Sequence, residues 1–489
     1  MSASPHAQSL AALERRLAWE LEALQLPAAR WTKAHGHEGQ PVADVAIIGA
    51  GMAGLALAAA CRLRGIDTLL LDESPAGFEG PWVTTARMET LRSPKQLAGP
   101  ALGLPSLTFR AWYEAQFGSL AWEALDKIPR PMWMDYLRWY RGVLAIEVHN
   151  GHRVTHLQPR ADGLVALDVA HAGQQQRRFA RRVVIASGRD GLGGPWVPVW
   201  AQALPRERWA HSADALDHAH LAGMRVGVVG AGASAMDSAA TALEAGAARV
   251  HLLVRRPDIP RINKSKGAGN PGFVHGHARL PDDWKWRLRR YIHQQQVPPP
   301  RGSTLRVSRQ ANAFFHLNCA VQGASWTGQA LAVQTSAGPI TLDFLFFATG
   351  FEIDLARRPW LAGIAPHVRL WGQRYTPPQG QEDAELAASP DLGPDFEFQA
   401  RADLPLPGLD RVHCFCYPAA LSHGTITGDI PAISEGAIQL ATALVRRFHV
   451  EDIEHQFERM RAYDDPEVLG DEWVDSPLPT EEPPPPHGA

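Results

Sequence analysis

Near the start of the chain, Leu10, Leu13, Leu17, Leu21 and Leu24 recur at steps of three and four. That spacing predicts an amphipathic helix capped by Ser9 and packed on a domain surface. Its Glu14, Arg15, Arg16, Glu20 and Glu22 point mostly outward. Further along, Val45-Ala46-Ile47-Ile48 is a short apolar run of the buried-strand type. It leads into Gly49-Ala50-Gly51-Met52-Ala53-Gly54, a helical stretch over 55–64 that Gly65 stops, and a second strand over 68–71 ending at Asp72. The pattern recurs. Val226-Gly227-Val228-Val229 runs into Gly230-Ala231-Gly232-Ala233-Ser234-Ala235, a small-residue helix over 236–245, and a strand over 249–254 that ends in Arg255-Arg256. Each copy then makes alternating strands. The first has 163–169 and 178–185, closing at Ala186-Ser187-Gly188; the second has 331–334 and 340–347, closing at Ala348-Thr349-Gly350. The second copy is nested between pieces of the first. The expected fold is α/β, with two Rossmann-like dinucleotide-binding domains whose parallel sheets carry β-meanders.

The two glycine turns have distinct chemistry. In G-x-G-x-x-G the first glycine permits the tight turn, the second lets a pyrophosphate approach the backbone, and the third allows close helix–strand packing. Gly49, Gly51 and Gly54 fit this, with Met52 and Ala53 opening the helix and Asp72 placed to bind ribose hydroxyls. Glu73 follows that acid, and Gly80-Pro81-Trp82 follows the strand. The second turn reads G-x-G-x-x-A through Gly230, Gly232, Ala233, Ser234 and Ala235. Arg255 and Arg256 can pair with a 2′-phosphate that an acid would repel, so this site is expected to prefer NADPH to NADH. The acidic site suits free ribose hydroxyls, as in FAD or NAD. Two such cofactors meeting at the seam would allow hydride transfer.

At 489 residues, length alone suggests about three domain-sized units. The expected division is 1–40 as a helical extension, 41–200 and 351–475 as two parts of an FAD-binding domain, 201–350 as an NADPH-binding domain with an insert at 257–322, and 476–489 as a disordered tail. Charges of 48 Lys plus Arg against 51 Asp plus Glu leave −3. That balance argues against a nucleic-acid or membrane-surface partner. No signal peptide is read at residues 1–5, and the longest uncharged run, 45–61, is short for a membrane span. Cys61, Cys319, Cys414 and Cys416 are too few for a disulfide scaffold and suit a reducing cytoplasm. They form no C-x-x-C or C-x4-C pair, which sets the chain apart from two-lobed disulfide reductases. Cys414 and Cys416 share one face of a strand expected over 412–417 and read as core. No metal-ligand spacing and no G-x-S-x-G elbow occurs.

The ordered set of 49–54, Asp72, Gly80-Pro81-Trp82, 230–235 and Ala348-Thr349-Gly350-Phe351 resembles the class B flavoprotein monooxygenases, over about residues 42–450. That family includes flavin-containing and Baeyer–Villiger monooxygenases. The resemblance implies bound FAD, NADPH as reductant, and O2 activated as a flavin C4a-(hydro)peroxide that inserts one oxygen atom into a small organic substrate. Departures mark a divergent member. Pro205 and Glu207 stand where the family's F-x-G-x-x-x-H has Phe and Gly, leaving His211, and Ala215 stands where the Baeyer–Villiger extension has Trp. Residues 91–95 resemble the flavin-edge stretch of flavin-containing monooxygenases, which makes Ser93 and Lys95, with nearby Arg87, the catalytic candidates. Thr349 and Gly350 are candidate cofactor contacts. So are Gly428 and Asp429, at the start of a helix expected to run to Phe448 with its positive end toward the flavin. The aromatic stretch 104–142 offers a candidate apolar cavity, though Trp133, Tyr136 and Tyr140 read as helical core. The insert, with a helix over 282–296, reads as a lid or as a solvated surface segment. The expected partners are a small-molecule substrate and O2, with no nucleic acid and no membrane; a homodimer is allowed. Two other readings stay open: an NADPH-dependent flavin reductase acting on a quinone or protein without oxygenation, and a non-catalytic redox sensor.

Overall fold

The computed structural model describes residues 9–189, 191–478 and 480. The expectations for 1–5 and for most of 476–489 fall outside them. Among the described residues, eight strands build the first sheet. Its centre is parallel: Thr68–Asp72, Gln40–Ile48, Gln174–Ile185 and Val412–Cys414 lie side by side, with Ile48 opposite both Leu71 and Ile185, and Cys414 also opposite Ile185. Buried on both faces, these strands read as near-continuous apolar runs. The outer half of Gln174–Ile185 turns antiparallel to Val165–His171, which pairs with Arg153–Pro159. The last of these strands was not expected, because its polar Thr155, His156 and Gln158 weaken the alternation.

The second sheet is wholly parallel, in the order Ala313–His316, Arg249–Leu253, Arg225–Val229, Phe344–Phe347, Trp209–His211. A three-stranded antiparallel meander, Val321–Trp326, Leu331–Thr335 and Gly338–Leu342, leads into it. The strand expected over 340–347 is therefore two strands. They part at Asp343, whose carboxylate accepts from the Arg225 backbone amide at 2.9 Å and from its guanidinium at 2.7 Å. The strand expected over 412–417 stops at Cys414, ahead of a 3-10 turn at Tyr417–Ala419. A short pair, Gly193–Pro195 with Phe351–Ile353, bridges the sheets where the chain crosses between them.

Helices Met52–Leu63 and Ile433–Glu451 pack together and share one core with the N-terminal helix Leu10–Ala23. Ser9 caps that helix through the Ala12 amide, and Leu13 and Leu17 are buried. Trp112, Tyr113 and Trp122 also lie in this core, around Phe109. They are buried in the interior with Trp133, Tyr136 and Tyr140, so these six aromatic side chains of 104–142 are core.

The insert packs on the rest of the chain through a helix, while its Ile262, Trp284 and Tyr291 stay exposed. Its helix Asp282–Gln295 buries Trp286 against Trp371, Leu386 and Leu421, which follow the crossing at Phe351–Ile353. Residues 376–407 carry the short helix Ala384–Ala388. Among the described residues no helix is long and apolar enough to cross a membrane.

Candidate functional site

The first strand ends at Gly49, whose φ of +103° would bring an added Cβ to 2.7 Å from the Ala186 carbonyl oxygen. Gly54 is tighter: its Cβ would lie 1.8 Å from the Gly49 carbonyl oxygen, so helix Met52–Leu63 leans directly on the turn. At Gly51 only the Gly80 backbone lies within 4 Å, at 3.7 Å. Gly51 is the N-cap and has no side chain to bond the first-turn amides beside Met52 and Ala53. Those amides and the helix dipole form a cradle that fits a pyrophosphate. Asp72 braces the turn. Its Oδ2 accepts from the Ala50 amide and its Oδ1 from the Ser74 amide, both at 2.7 Å. Neighbouring Glu73 is exposed. Trp82 stands edge-on to Trp133 at 6.3 Å, and its carbonyl accepts from Arg130.

The second turn repeats the geometry. Gly230 has φ +129°, and Gly232 is an uncapped N-cap with nothing within 4 Å of an added Cβ. Ala233 and Ser234 open the helix, and Ala235 is fully buried in place of the third glycine. Arg255 is exposed just past the strand. Arg256 donates to the Gln294 carbonyl at 3.3 Å, so it is partly engaged at the end of helix Asp282–Gln295.

Thr349 and Gly350 sit where the chain crosses back. The Thr349 hydroxyl donates to the Trp196 carbonyl. The Gly350 carbonyl accepts from the Trp196 amide at 3.0 Å and from His211 Nε2 at 2.9 Å. His211 Nδ1 accepts from the Ala213 amide at 3.1 Å. These bonds define a neutral Nε2–H imidazole. The surviving fingerprint histidine thus fastens the second sheet to the crossing strands.

Two of the three catalytic candidates are struts. Arg87 reaches from the first lobe to the second, donating to the Ser212 carbonyl, to the Asp214 carbonyl at 2.7 Å and to His218 at 3.1 Å. Lys95 donates to the carbonyls of Trp122 (2.6 Å) and Glu123 (3.2 Å) at the end of helix Phe109–Ala124. Ser93 is half-buried. The expected helix at Asp429 also begins later: Asp429 caps a 3-10 turn, Ile430–Ala432, without a side-chain bond to it, and the α-helix starts at Ile433.

What gathers at the seam is a set of charges. Asp429 and Arg92 are exposed to solvent yet crowded by neighbouring groups. Burial pushes the Asp429 carboxyl up against the pull of Arg289, Arg189 and Arg92. Burial holds the Arg92 guanidinium below its usual range, with Asp237 opposing and Arg189 adding. Arg189 lies over the Tyr417 ring at 4.4 Å, and the Tyr417 hydroxyl donates to Glu385 at 2.9 Å. Arg92, Arg189, Arg289, Tyr417 and Glu385 come from five separate segments. No local spacing joins them, so motif reading passed over them. Among the described residues no cluster of three or more His, Cys, Asp or Glu could hold a metal.

Comparison with known proteins agrees with this architecture. The family model of L-lysine 6-monooxygenase/L-ornithine 5-monooxygenase matches residues 112–298, and that of an NAD(P)-binding Rossmann-like domain matches 47–87. The FAD-dependent urate hydroxylase of Xanthomonas campestris pv. campestris is 39% identical over 476 residues, covering 97% of this chain and 99% of its own. The ornithine hydroxylase of Pseudomonas aeruginosa shares the fold with a TM-score of 0.64 at 18% identity, over 83% of this chain and 99% of its own. The ornithine N-hydroxylase of Kutzneria sp. 744, a structure with reduced FAD, NADP+ and L-ornithine, gives 0.64 at 18% identity, over 83% and 100%. With two uncapped glycine turns facing one seam and a near full-length relative of this kind, the chain belongs to the class B flavoprotein monooxygenases, enzymes that use FAD and NADPH.

Proposed function

We propose that this monooxygenase hydroxylates urate or a closely related anionic purine. The observation that carries the reading is charge: the guanidinium groups of Arg289, Arg189 and Arg92 all pull on the Asp429 carboxyl, from three separate segments. A cationic site suits a planar anion, for guanidinium both pairs with negative charge and stacks on flat rings. It is a poor host for the ammonium side chains of lysine or ornithine. The near full-length likeness to a urate hydroxylase supports the same substrate class.

In this reading the first lobe holds FAD. Gly49, Gly51, Met52, Ala53 and Gly54 cradle the pyrophosphate, Asp72 and Glu73 face the ribose, Trp82 flanks the turn, and Gly428 and Asp429 meet the flavin near the Ile433–Glu451 helix. The second lobe holds NADPH through Gly230, Gly232, Ala233, Ser234 and Ala235, with Arg255 as the main 2′-phosphate partner, Arg256 assisting, and Thr349 and Gly350 framing the crossing. Bound FAD, reduced by hydride from NADPH, supplies the oxygen-activating chemistry. One oxygen atom of O2 becomes a hydroxyl on the purine ring and the other leaves as water, with NADPH giving both electrons. The protein's part is to orient the purine, keep the two cofactors in register through the Arg87 strut, and limit water at the seam. Four buried cysteines with no disulfide between them fit a cytoplasmic site of action.

The test is a stoichiometry measured on the FAD-loaded enzyme with NADPH. Loss of urate absorbance, NADPH consumed and O2 consumed should stand at about 1:1:1, with little peroxide. Stoichiometric peroxide in the presence of urate, or coupled turnover of ornithine or lysine in its place, overturns the reading. Equal reduction of a quinone without oxygen would favour the reductase alternative.

A further inference from the structure

Helix Asp282–Gln295 places Lys285, Arg289 and His293 at steps of four, on one face. This face is turned inward, and Lys285, Trp286 and Arg289 are buried in it. Burying cations costs several kcal/mol unless each finds a partner. Two of the three do. Lys285 lies over the Trp371 ring at 5.9 Å, and burial lowers its ammonium against the pull of Asp282 and Asp391. His293 Nδ1 sits 3.1 Å from Asp383. Arg289 is different. It is only 6% exposed, its Nε has no hydrogen-bond partner, and among the described residues no carboxylate comes within ion-pair distance of it. The side chain lines a small pocket with His293, Glu385, Ser389 and Tyr417, and it exerts the strongest charge effect on Asp429.

A plain counter-ion to Asp429 would stand within 4 Å of it, and Arg289 does not form that pair. The helix that carries it is anchored by the packing of Trp286 on Trp371, Leu386 and Leu421. We infer that Arg289 is the specificity-determining residue of the seam, the guanidinium that receives the negative charge of the substrate. The inference rests on the anionic-purine reading above and deepens it. The insert helix thereby has a function: it carries the substrate-recognising charge from the second lobe's half of the chain to a site walled by the first.

The test is equilibrium binding to the oxidised, FAD-loaded enzyme without NADPH, by titration calorimetry. Two probes are used: urate, an anion at neutral pH, and uncharged hypoxanthine. The quantity read is the ratio of their affinities. Damage to folding lowers both affinities, whereas loss of the anion contact lowers the ratio. Arg289→Gln should reduce the urate-to-hypoxanthine ratio by about 10- to 100-fold, the range expected for one charge-assisted hydrogen-bonded pair. Arg289→Lys keeps the charge without the planar fork and should lose less, about threefold to tenfold. Arg290→Gln removes the same charge one position along, from a half-buried side chain that donates to the Gly380 carbonyl at 2.7 Å, and should leave the ratio unchanged. If Arg289→Gln yields no folded protein, Arg289→Lys carries the test alone. An unchanged ratio in the Arg289 variant, with urate bound by wild type, overturns the inference and leaves the urate reading standing. Failure of wild type to bind urate overturns both.

Discussion

Gly54 and Gly232 both belong to glycine turns, yet a methyl group would do different harm at each. At Gly54 it would sit 1.8 Å from backbone, and backbone cannot yield without parting helix from strand. Gly54→Ala should cost more than about 4 kcal/mol and leave purified protein without FAD, read as flavin absorbance per chain. At Gly232 the methyl meets nothing within 4 Å, and the backbone there is ordinary for any residue. Gly232→Ala should therefore stay within about 0.5 kcal/mol of wild type, while the KM for NADPH rises about tenfold, because the lost space is the pyrophosphate's. The arginines after the second strand divide in the same way. Arg255 is exposed, whereas Arg256 shares the Gln294 carbonyl. Arg255→Ala should lower the NADPH-to-NADH preference by about 10- to 100-fold, and Arg256→Ala by clearly less. Equal losses, or none, would show that 2′-phosphate recognition lies elsewhere. These positions were legible in the sequence because the turn chemistry is local: glycine, helix start and strand-end charge stand in fixed register. Arg289 and Tyr417 were not, since what matters about them is what faces them across the fold.

Between elements, the weight falls on the end of helix Ile433–Glu451. Arg181, on strand Gln174–Ile185, donates to both oxygens of Asp452 at 2.9 and 2.7 Å and to Glu451 at 3.1 Å. Arg182 also reaches Glu451, and Asp44 stands 3.6 Å from Arg181. Burial alone would lower the Arg181 guanidinium, but Asp452 and Glu451 outweigh it and hold it up. Asp452 is bound in turn by the Lys33 amide at 2.9 Å. The network pins the helix whose other end meets the seam, so it aligns Asp429 at a distance. Asp452→Asn keeps the shape but takes the charge from the group that accepts two of Arg181's bonds, leaving it Glu451 and Asp44, which should cost about 2 kcal/mol, seen as a lower urea midpoint. Arg181→Met combined with Asp452→Leu should recover much of that loss, since removing both charges also removes their desolvation cost. A double variant no better than the single one would show that the pair contributes more than its geometry implies. None of this was readable beforehand. Arg181 and Arg182 lie inside the strand expected over 178–185 with nothing local to mark them, and only the long return of the chain to Val412–Cys414 brings Glu451 and Asp452 beside them. The strand–helix–strand starts were legible within a few residues because their apolar periods are local. The split at Asp343 and the late start at Ile433 were missed because partner strands and turns decide them.

Over the whole molecule, three buried histidines couple stability to pH. His413 is completely buried and donates Nδ1–H to the Asp395 carbonyl at 2.8 Å. His277 and His423 donate Nε2–H to the carbonyls of Leu421 (3.2 Å) and Gly393 (3.0 Å). Burial lowers all three, His413 to about 3 and His277 and His423 to about 4, with nearby cations adding to the shift. In the unfolded chain each returns to about 6.5. Between the two values the unfolded state binds more protons than the folded one, so stability must fall as pH falls. The loss begins near pH 6.5 and continues to about pH 4, at up to about 1.4 kcal/mol per pH unit for each histidine. Glu451 and Asp452 add to it lower down: burial would raise them, but Arg182 and Arg181 outweigh it and hold them low, so their contribution is lost only as pH drops through those lowered values. Two of the three histidines bracket the insert contact, because His277 belongs to the insert and bonds Leu421, two residues before His423. Mild acid should therefore loosen the junction that holds Arg289. The check is the urea midpoint measured from pH 7 to pH 4.5, together with the affinity for hypoxanthine, whose binding needs no charge. The midpoint should drop steadily below pH 6.5, His277→Gln should flatten the drop, and hypoxanthine affinity should weaken with the midpoint. A midpoint that stays level from pH 7 to pH 5 would mean these histidines do not hold their neutral forms at the cost their burial implies.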